Sequence, residues 1–448
     1  MRVLVTAVAL ALAAGPAAAR AQTRPSNALF LETRPDPARG QRLDVTLGSA
    51  GGYDKDTSLE DRGLGGIGLQ GPAGQSVFVT ANVDYARLSS RTQFRATAAS
   101  TTRYYGSLDN VLHSANDDAS HAAAAGFLFH TPATSFVVNQ TANYASSLLY
   151  TFLPGTGAIA PGAGAPATAD YGLSDSEIYV YTSAAEFTQR LTTRNFASAA
   201  AGWEHSDIIG GQADNHRLDV YRGRAALGHH AGRNLTVMGG YVFRSGDVAA
   251  GRLVPYGQTL DEHGTELGLD YRRPLSATRG FMTQVRVGGS MISLPAVIDA
   301  GGSVSRARRY EQFSGQLNVG YDFGRTWQAA GSARRGLEYV SGLGQPVLAD
   351  SITARLDGLL ARRVDVRLSA AYSAGESALG GIASLFNTYT ANVRLRYGLT
   401  RTLAASVEYL YFFYDSRGTQ ALVPGLPPRF ERNSVRAGLT LRVPAVGK

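Results

Sequence analysis

The chain has 448 residues, 17% of them charged and none of them cysteine, with a formal net charge of +8. A charged fraction below the ~25% of ordinary soluble domains, together with 52 glycines and 22 tyrosines, fits a β-rich membrane protein better than a helical soluble one, and the missing thiols exclude disulfide frameworks and thiolate metal sites. All but two of the 43 basic residues are arginine (the lysines are Lys55 and Lys448), and they are scattered rather than gathered in a stripe, which excludes nucleic acid as a partner.

Residues 1–21 read as a cleaved secretory signal peptide: Arg2, an apolar run over residues 3–14, then small residues at Ala19 and Ala21. The run is too short to span, and no later segment approaches ~20 consecutive apolar residues. Spanning helices are therefore not expected, and an exported membrane protein without them must be a closed barrel. Residues 22–40, with Pro25, Pro35 and Pro37, read as a periplasmic leader or a segment at the barrel mouth. The barrel is expected over residues 41–443, with 444–448 as a C-terminal tail.

From Gln41 onward, alternating runs of roughly ten residues are joined by two kinds of connection, the pattern of bacterial barrels with short periplasmic turns and long external loops. Short turns are expected at 71–74, 131–134, 191–194, 230–233, 274–278, 324–326, 362–363 and 400–402, where Pro, Gly and small polar residues favour turn geometry. With a first strand near 42–53 and a last at 433–443, these give an all-β, closed antiparallel transmembrane barrel of about 18 strands, with 16 as the alternative. Long connections are expected at 54–62, 91–120, 153–175, 247–261, 293–308, 341–349, 375–385 and 415–429. The third carries a Gly/Ala/Pro-rich stretch from Gly155 that suits either a mobile external loop or a constriction folded into the lumen.

Taken in order, several local features bear on function. Asp54, Asp56 and Glu60 place oxygen ligands in the first loop, but Leu59 stands where an EF-hand needs glycine. They are weak cation ligands, and no metal site or cofactor is expected. Gly63-Leu-Gly-Gly-Ile-Gly68 matches a dinucleotide-binding spacing, yet lacks the strand-then-helix setting that such a site requires. Between His216 and Leu227 the alternation slips, which predicts a β-bulge. Arg335 falls in the same phase as Trp327, Ala329 and Ala333, on the expected lipid side, and predicts a bulge or a place at the outer rim. The eight histidines include no His-Glu-x-x-His spacing, and no local Ser–His motif appears, so an enzyme is not expected.

The alternation is clearest at the C-terminus. Tyr389, Ala391, Val393, Leu395 and Tyr397, then Leu403, Ala405, Val407, Tyr409, Tyr411 and Phe413, then Val435, Ala437, Leu439, Leu441 and Val443 share one face. Phe136, Phe243, Phe281, Phe323, Trp327, Tyr372, Tyr397 and Phe413 fall near strand ends in this phase, as interfacial girdles do. The opposite phase holds Asp270, Arg272, Gln284, Arg286, Gln316, Asn318, Asp322, Arg334, Glu338, Arg355, Asp357, Asp365, Arg367, Arg394, Arg396, Glu408, Arg436 and Arg442. Arg272, Arg286, Arg334, Arg355, Arg367, Arg394, Arg396 and Arg436 are thus candidate pore-lining, anion-binding residues, because guanidinium groups hold oxyanions in bidentate fashion and rings of them select anions. The competing expectation is that neighbours such as Arg355/Asp357 and Asp365/Arg367 cross-link and merely stiffen the wall.

The segment YGLTRTLAASVEYLYFFYDSRG, followed by FERNSVRAGLTLRV, resembles the C-terminal hairpin and closing strand of the family of porin-like outer-membrane β-barrels often associated with surface-polysaccharide systems. The resemblance covers about the last 60 residues. Arg436, Gly438, Leu441 and Val443 are similar to the barrel assembly signal of that class, with Val443 where Phe or Trp is usual and five residues following it. It implies an outer-membrane channel in a Gram-negative bacterium or a barrel partner of a polysaccharide export system. A structural barrel plugged by its own loops is the third possibility. The expected partners are outer-membrane lipid, lipopolysaccharide, the barrel assembly machinery, and small anionic solutes or an anionic polysaccharide.

Overall fold

A computed structural model describes residues 40–56, 74–105, 117–146, 148–149, 172–174, 177–209, 216–249, 258–294, 297–298, 304–305, 308–324, 326–340, 345–378, 385–417 and 429–447. In chain order the strands are β1 (Gly40–Asp56), β2 (Gly74–Leu88), β3 (Thr92–Tyr105), β4 (Asp117–His130), β5 (Thr134–Ala145), β6 (Leu148–Leu149), β7 (Gly172–Ser174), β8 (Glu177–Arg190), β9 (Asn195–Ile209), β10 (His216–His230) and β11 (Leu235–Val248). There follow β12 (Gln258–Pro274), β13 (Gly280–Leu294), β14 (Val297–Ile298), β15 (Val304–Ser305), β16 (Arg308–Phe323), β17 (Trp327–Val340), β18 (Gln345–Ala361), β19 (Val364–Ser377), β20 (Leu385–Gly398), β21 (Leu403–Arg417) and β22 (Arg429–Gly447).

Eighteen of them form one antiparallel sheet in which each strand bonds to the next, and β1 bonds to β22, so the sheet closes on itself. The two short pairs β6–β7 and β14–β15 stand apart from it, in the connections between β5 and β8 and between β13 and β16. A two-sheet sandwich is thereby excluded.

Short turns lie at one end of the barrel and long connections at the other. The short turns reuse one device, a Ser or Thr hydroxyl that accepts the backbone N–H three residues on: Ser89 from Thr92 (3.0 Å), Thr131 from Thr134 (2.9 Å), Thr192 from Asn195 (2.9 Å), Ser276 from Arg279 (3.1 Å) and Thr400 from Leu403 (2.9 Å). The β16–β17 turn instead uses Gly324 at φ +73°, a conformation that L side chains rarely adopt.

The first half of the barrel is arranged differently from the sequence expectation. Residues 89–91 are a short turn, and β3 occupies a stretch expected to be external loop. The turn expected at 71–74 belongs to the long-loop end, between β1 and β2, and residues 57–73, including Glu60 and the glycine-rich motif, lie outside the described residues. β3 escaped notice because its outward positions between Phe94 and Tyr104 are Ala96, Ala98, Ser100 and Thr102, too small and polar to alternate visibly. β22 also runs past Val443: Pro444, Val446 and Gly447 pair with Asp44, Leu43 and Arg42, with a bulge between Leu43 and Asp44. The expected tail therefore belongs to the seam that closes the barrel.

The two faces differ as a period of two requires. Outward-phase side chains are large, apolar and exposed on strand after strand, from Leu47, Val79, Phe94 and Phe127 to Leu267 (66% exposed), Val407, Val435 and Leu439. All eight aromatics expected in the girdles lie in this phase, and Phe323 and Trp327 face each other directly beside the β16–β17 turn. Inward-phase positions are polar and buried: Asp44, Thr46, Thr80, Asn82, Asp357, Asp365, Asn392, Arg394, Arg436 and Thr440.

One region departs from this plan. β16 and β17 pair only from the turn up to Gly315 and Arg335; beyond that, among the described residues, 308–314 bond to β13 and 336–340 bond to β18, not to each other. Released from β16, the long-loop end of the β17–β18 hairpin leans across the lumen. Leu337 and Tyr339 share the outward phase of Ala333 and Arg335, yet they are buried against the inward-phase Leu218, Val220, Val248, Leu260 and Ile292, with Leu348 and Tyr310 beside them. Each fully buried aliphatic side chain of this cluster contributes on the order of 1.5–3 kcal/mol. Gly246 is glycine for this reason, since a Cβ there would sit 2.0 Å from the Tyr339 ring.

The same packing bears on two local expectations, correcting the first and leaving the outer-rim alternative for the second. β10 pairs with β9 and β11 in unbroken register, so the predicted bulge between His216 and Leu227 is absent. The alternation slipped because the strand is apolar on both faces there, Leu218 and Val220 meeting the inserted hairpin while Tyr221 and Leu227 face outward. Arg335 sits in no bulge either; it is the last β17 residue bonded to β16, and it pairs on the outer surface with Asp350 (3.1 Å).

Candidate functional site

The lumen-facing wall divides into arcs of different charge. On β2–β9 the inward phase is mostly small and weakly polar, for example Asn82, Thr97, Ala124, Thr141, Ala184 and Ala200. On β9–β13 and β17, five arginines are each paired with a carboxylate: Arg222 with Glu204 (2.7 Å), Arg224 with Glu266 (2.5 Å), Arg244 with Glu262 (3.4 Å), Arg286 with Asp270 (2.6 Å) and Arg334 with Glu338 (3.3 Å). Arg244 also donates to the carbonyl of Leu337 (2.5 Å), which ties the inserted hairpin to β11. Among the described residues Arg272 has no carboxylate partner, and it meets the sulfur of Met282 at 3.5 Å.

The third arc, β18–β22 with β1, holds more arginine than carboxylate. In its short-turn half Arg42, Arg355, Arg367, Arg394, Arg396, Arg436 and Arg442 face Asp44, Asp357, Asp365 and Glu408. Asp44 is shared by Arg42 and Arg442, the latter at 3.0 Å. Asp357 is likewise shared, taking bonds from Arg355 on its own strand and from Arg367 (2.5 Å) on the next. Asp365 is held by Arg396, whose Nε lies 3.0 Å from each carboxylate oxygen and whose Nη2 lies 2.5 Å from one. The expected Asp365/Arg367 cross-link is therefore replaced by two cross-strand pairs, because Asp365 stands opposite Arg396 and Asp357 opposite Arg367 in the register.

Of the eight arginines singled out from sequence, Arg286, Arg334, Arg355, Arg367 and Arg396 are thus ion-paired on the inner wall. Arg436 lies over the ring of Phe78 (4.4 Å to its centre) and donates to Ser434 Oγ (3.3 Å). Arg394 is different. It is 5% exposed, and its Nε and Nη2 have no hydrogen-bond partner among the described residues. The carboxylate facing it across the strand pair, Glu408, accepts instead from Asn392 Nδ2 (2.6 Å). Arg394, Arg396, Glu408, Arg436, Phe78 and Thr80 line a cavity of about 70 Å³ against the wall.

Of the assembly-signal residues, Arg436 and Gly438 face inward and Leu441 and Val443 outward on the closing strand. Asp54, a weak cation ligand by sequence, is buried at the long-loop end and accepts from Ser76 Oγ (3.4 Å) and Arg432 (3.4 Å), so its carboxylate is engaged by donors rather than open to a cation. The Asp56 side chain and Glu60 lie outside the described residues. Among the described residues no group of three His, Asp or Glu side chains is arranged to hold a metal ion. Sequence reading missed the lumenal role of Tyr339, Leu337 and Gly246. The signal for them was the two-faced apolar character of β10 and of the β17 end.

No protein-family model matches the chain, and no curated protein matches it. Among solved structures, Pseudomonas aeruginosa OccK11 (OpdR) is 12% identical, covering 91% of this chain and 96% of that one with a TM-score of 0.39. OccK2 (OpdF) of the same organism is 9% identical over 93% and 99% of the two chains, TM-score 0.41. The ferric-catecholate import receptor Fiu of E. coli K12 in its open form is 8% identical over 94% and 82%, TM-score 0.40.

Proposed function

We propose that the chain spans a Gram-negative outer membrane as a channel that passes small solutes and favours anions. A closed sheet with a lipid-compatible exterior leaves no strand edge in hydrocarbon along its paired length, which is the condition for spanning. The short-turn end is periplasmic and the long-loop end external in this reading. The observation that carries the anion preference is the β18–β1 arc, where arginines outnumber carboxylates among the described residues of its short-turn half. An unscreened guanidinium about 4 Å from an anion is worth roughly 4 kcal/mol at an effective dielectric of 20. The inserted β17–β18 end narrows the external mouth over β10–β13, so solutes that pass it are directed toward the β20–β1 side of the charged arc.

The test is a planar-bilayer recording of the mature protein under a potassium chloride gradient. A reversal potential on the chloride side supports the reading; no conductance, or cation selectivity, overturns it. If deletion of the gene abolishes surface polymer while small-solute uptake is unchanged, the barrel serves polysaccharide export instead.

A further inference from the structure

The short turns carry a charge pattern that the lumen does not explain. Arg91, Arg194, Arg233, Arg273, Arg362 and Arg401 stand in, or within two residues of, six of the eight short turns, and all six are exposed. No Asp or Glu occurs in any of the eight turns. Among the described residues none of the six arginines is ion-paired. This rim is therefore a collar of uncompensated guanidinium groups. The outer surface at the opposite end is the reverse on β8–β12, where Glu177, Asp207, Asp219, Asp247 and Asp261 share the outward phase.

Exposed leucines accompany the arginines. Leu191, Leu275 and Leu399 each open a short turn, and each donates its N–H to the carbonyl four residues on, at 2.9 Å in all three. That bond keeps the leucine in strand register, at the end of the outward columns that pass through Phe187, Tyr271 and Tyr397. Leu360 is likewise exposed beside Arg362. A turn that projects into water gains nothing by exposing leucine. From Tyr181 to Leu191 the outward column of β8 covers about 23 Å along the membrane normal at a 45° tilt, close to the ~25 Å height of an apolar band. The leucines thus mark where hydrocarbon ends, and the arginines two or three residues away fall at the level of lipid phosphates.

We propose that the short-turn rim is a docking collar for anionic glycerophospholipids, with arginine forks on the phosphodiester oxygens and the leucines in the acyl layer. Phosphatidylcholine carries the same phosphate with its own cation beside it, so the collar discriminates by net charge. The inference rests on the membrane-spanning part of the reading above and not on conductance. It adds a lipid partner and the leaflet in which that partner is held.

The chain's two tryptophans report on the two ends separately. Trp327 opens β17, and its ring lies against Gly358, where a Cβ would sit 2.2 Å from it, on the strand that leads to Arg362. Trp203 donates to Asp219 at 3.3 Å toward the long-loop end. The barrel is inserted into vesicles of phosphatidylcholine and phosphatidylglycerol in equal parts, with one lipid or the other brominated. Trp203→Phe isolates Trp327, and Trp327→Phe isolates Trp203. Trp327 is expected to be quenched by brominated phosphatidylglycerol with a preference of about fivefold over brominated phosphatidylcholine, and Trp203 with none. Arg362→Gln combined with Arg363→Gln is expected to abolish the preference at Trp327 while the compact gel band of the folded barrel remains. Equal quenching of Trp327 by the two lipids, or an unchanged preference in the double variant, overturns the proposal. Loss of the preference in inorganic phosphate at matched ionic strength assigns the forks to free phosphate and overturns it too. Quenching of neither tryptophan by either lipid instead defeats the membrane-spanning reading itself.

Discussion

The phenol of Tyr339 donates to the backbone carbonyl of Leu260 at 3.3 Å, joining β17 to β12, which are not neighbours in the sheet. That contact exists only because the β17–β18 end has left the wall. It makes the width of the mouth at the long-loop end depend on a small apolar cluster.

Tyr339→Ala removes both the hydrogen bond and the ring over Gly246. It is expected to cost about 3–5 kcal/mol of local packing and to raise single-channel conductance. Gly246→Leu reaches the same state from β11, since its Cβ alone would overlap the ring. Unchanged conductance in both variants would mean that another element sets the width.

Asp365→Asn takes the counter-charge from Arg396 and leaves a buried guanidinium partly uncompensated. Breaking such a pair from one side is expected to cost about 3–5 kcal/mol, less wherever lumenal water reaches it. Anion preference, read as reversal potential in a salt gradient, should rise. A shift toward cations would contradict the charge assignment of the arc.

Leu267→Arg places a charge on the outward face in mid-strand. Insertion into vesicles, followed by denaturant titration, should show a loss of about 2–4 kcal/mol. Gln284→Arg on the inward face is the control and should insert like the wild type. Equal behaviour of the two would remove the distinction between lipid and water faces.

Deleting residues 444–448 removes the pairs of Gly447, Val446 and Pro444 with β1. Asp44 keeps Arg442, so the barrel still closes. Its thermal transition in detergent is expected to fall by a few degrees, measured by the loss of the compact gel band.

The closed 18-stranded sheet was legible because a two-residue period needs only local information, and residues 387–443 carry it on large side chains. β3 was lost where the outward phase shrank to alanine and threonine, although Phe94 and Tyr104 at its two ends mark the girdles. The charge partners were less legible. Arg355 and Asp357 are two apart on one strand and could be paired by eye, but Asp365 with Arg396 depends on which residues face each other across β19 and β20. The inward lean of β17 could not be read at all from alternation, which assigns Leu337 and Tyr339 to the outside. Only the tertiary contact with Leu218 and Leu260 reverses that assignment.

The place where β16 and β17 part company has a mechanical consequence. Along most of the wall each strand is laced to a neighbour on both sides, but residues 308–314 and 336–340, which face each other across the gap, are each laced on one side only. Like a zipper whose teeth stop short of the end, the cylinder has a fixed point from which it unravels. Deuterium should enter the amides there first and advance toward Trp327 only as the remaining lacing gives way.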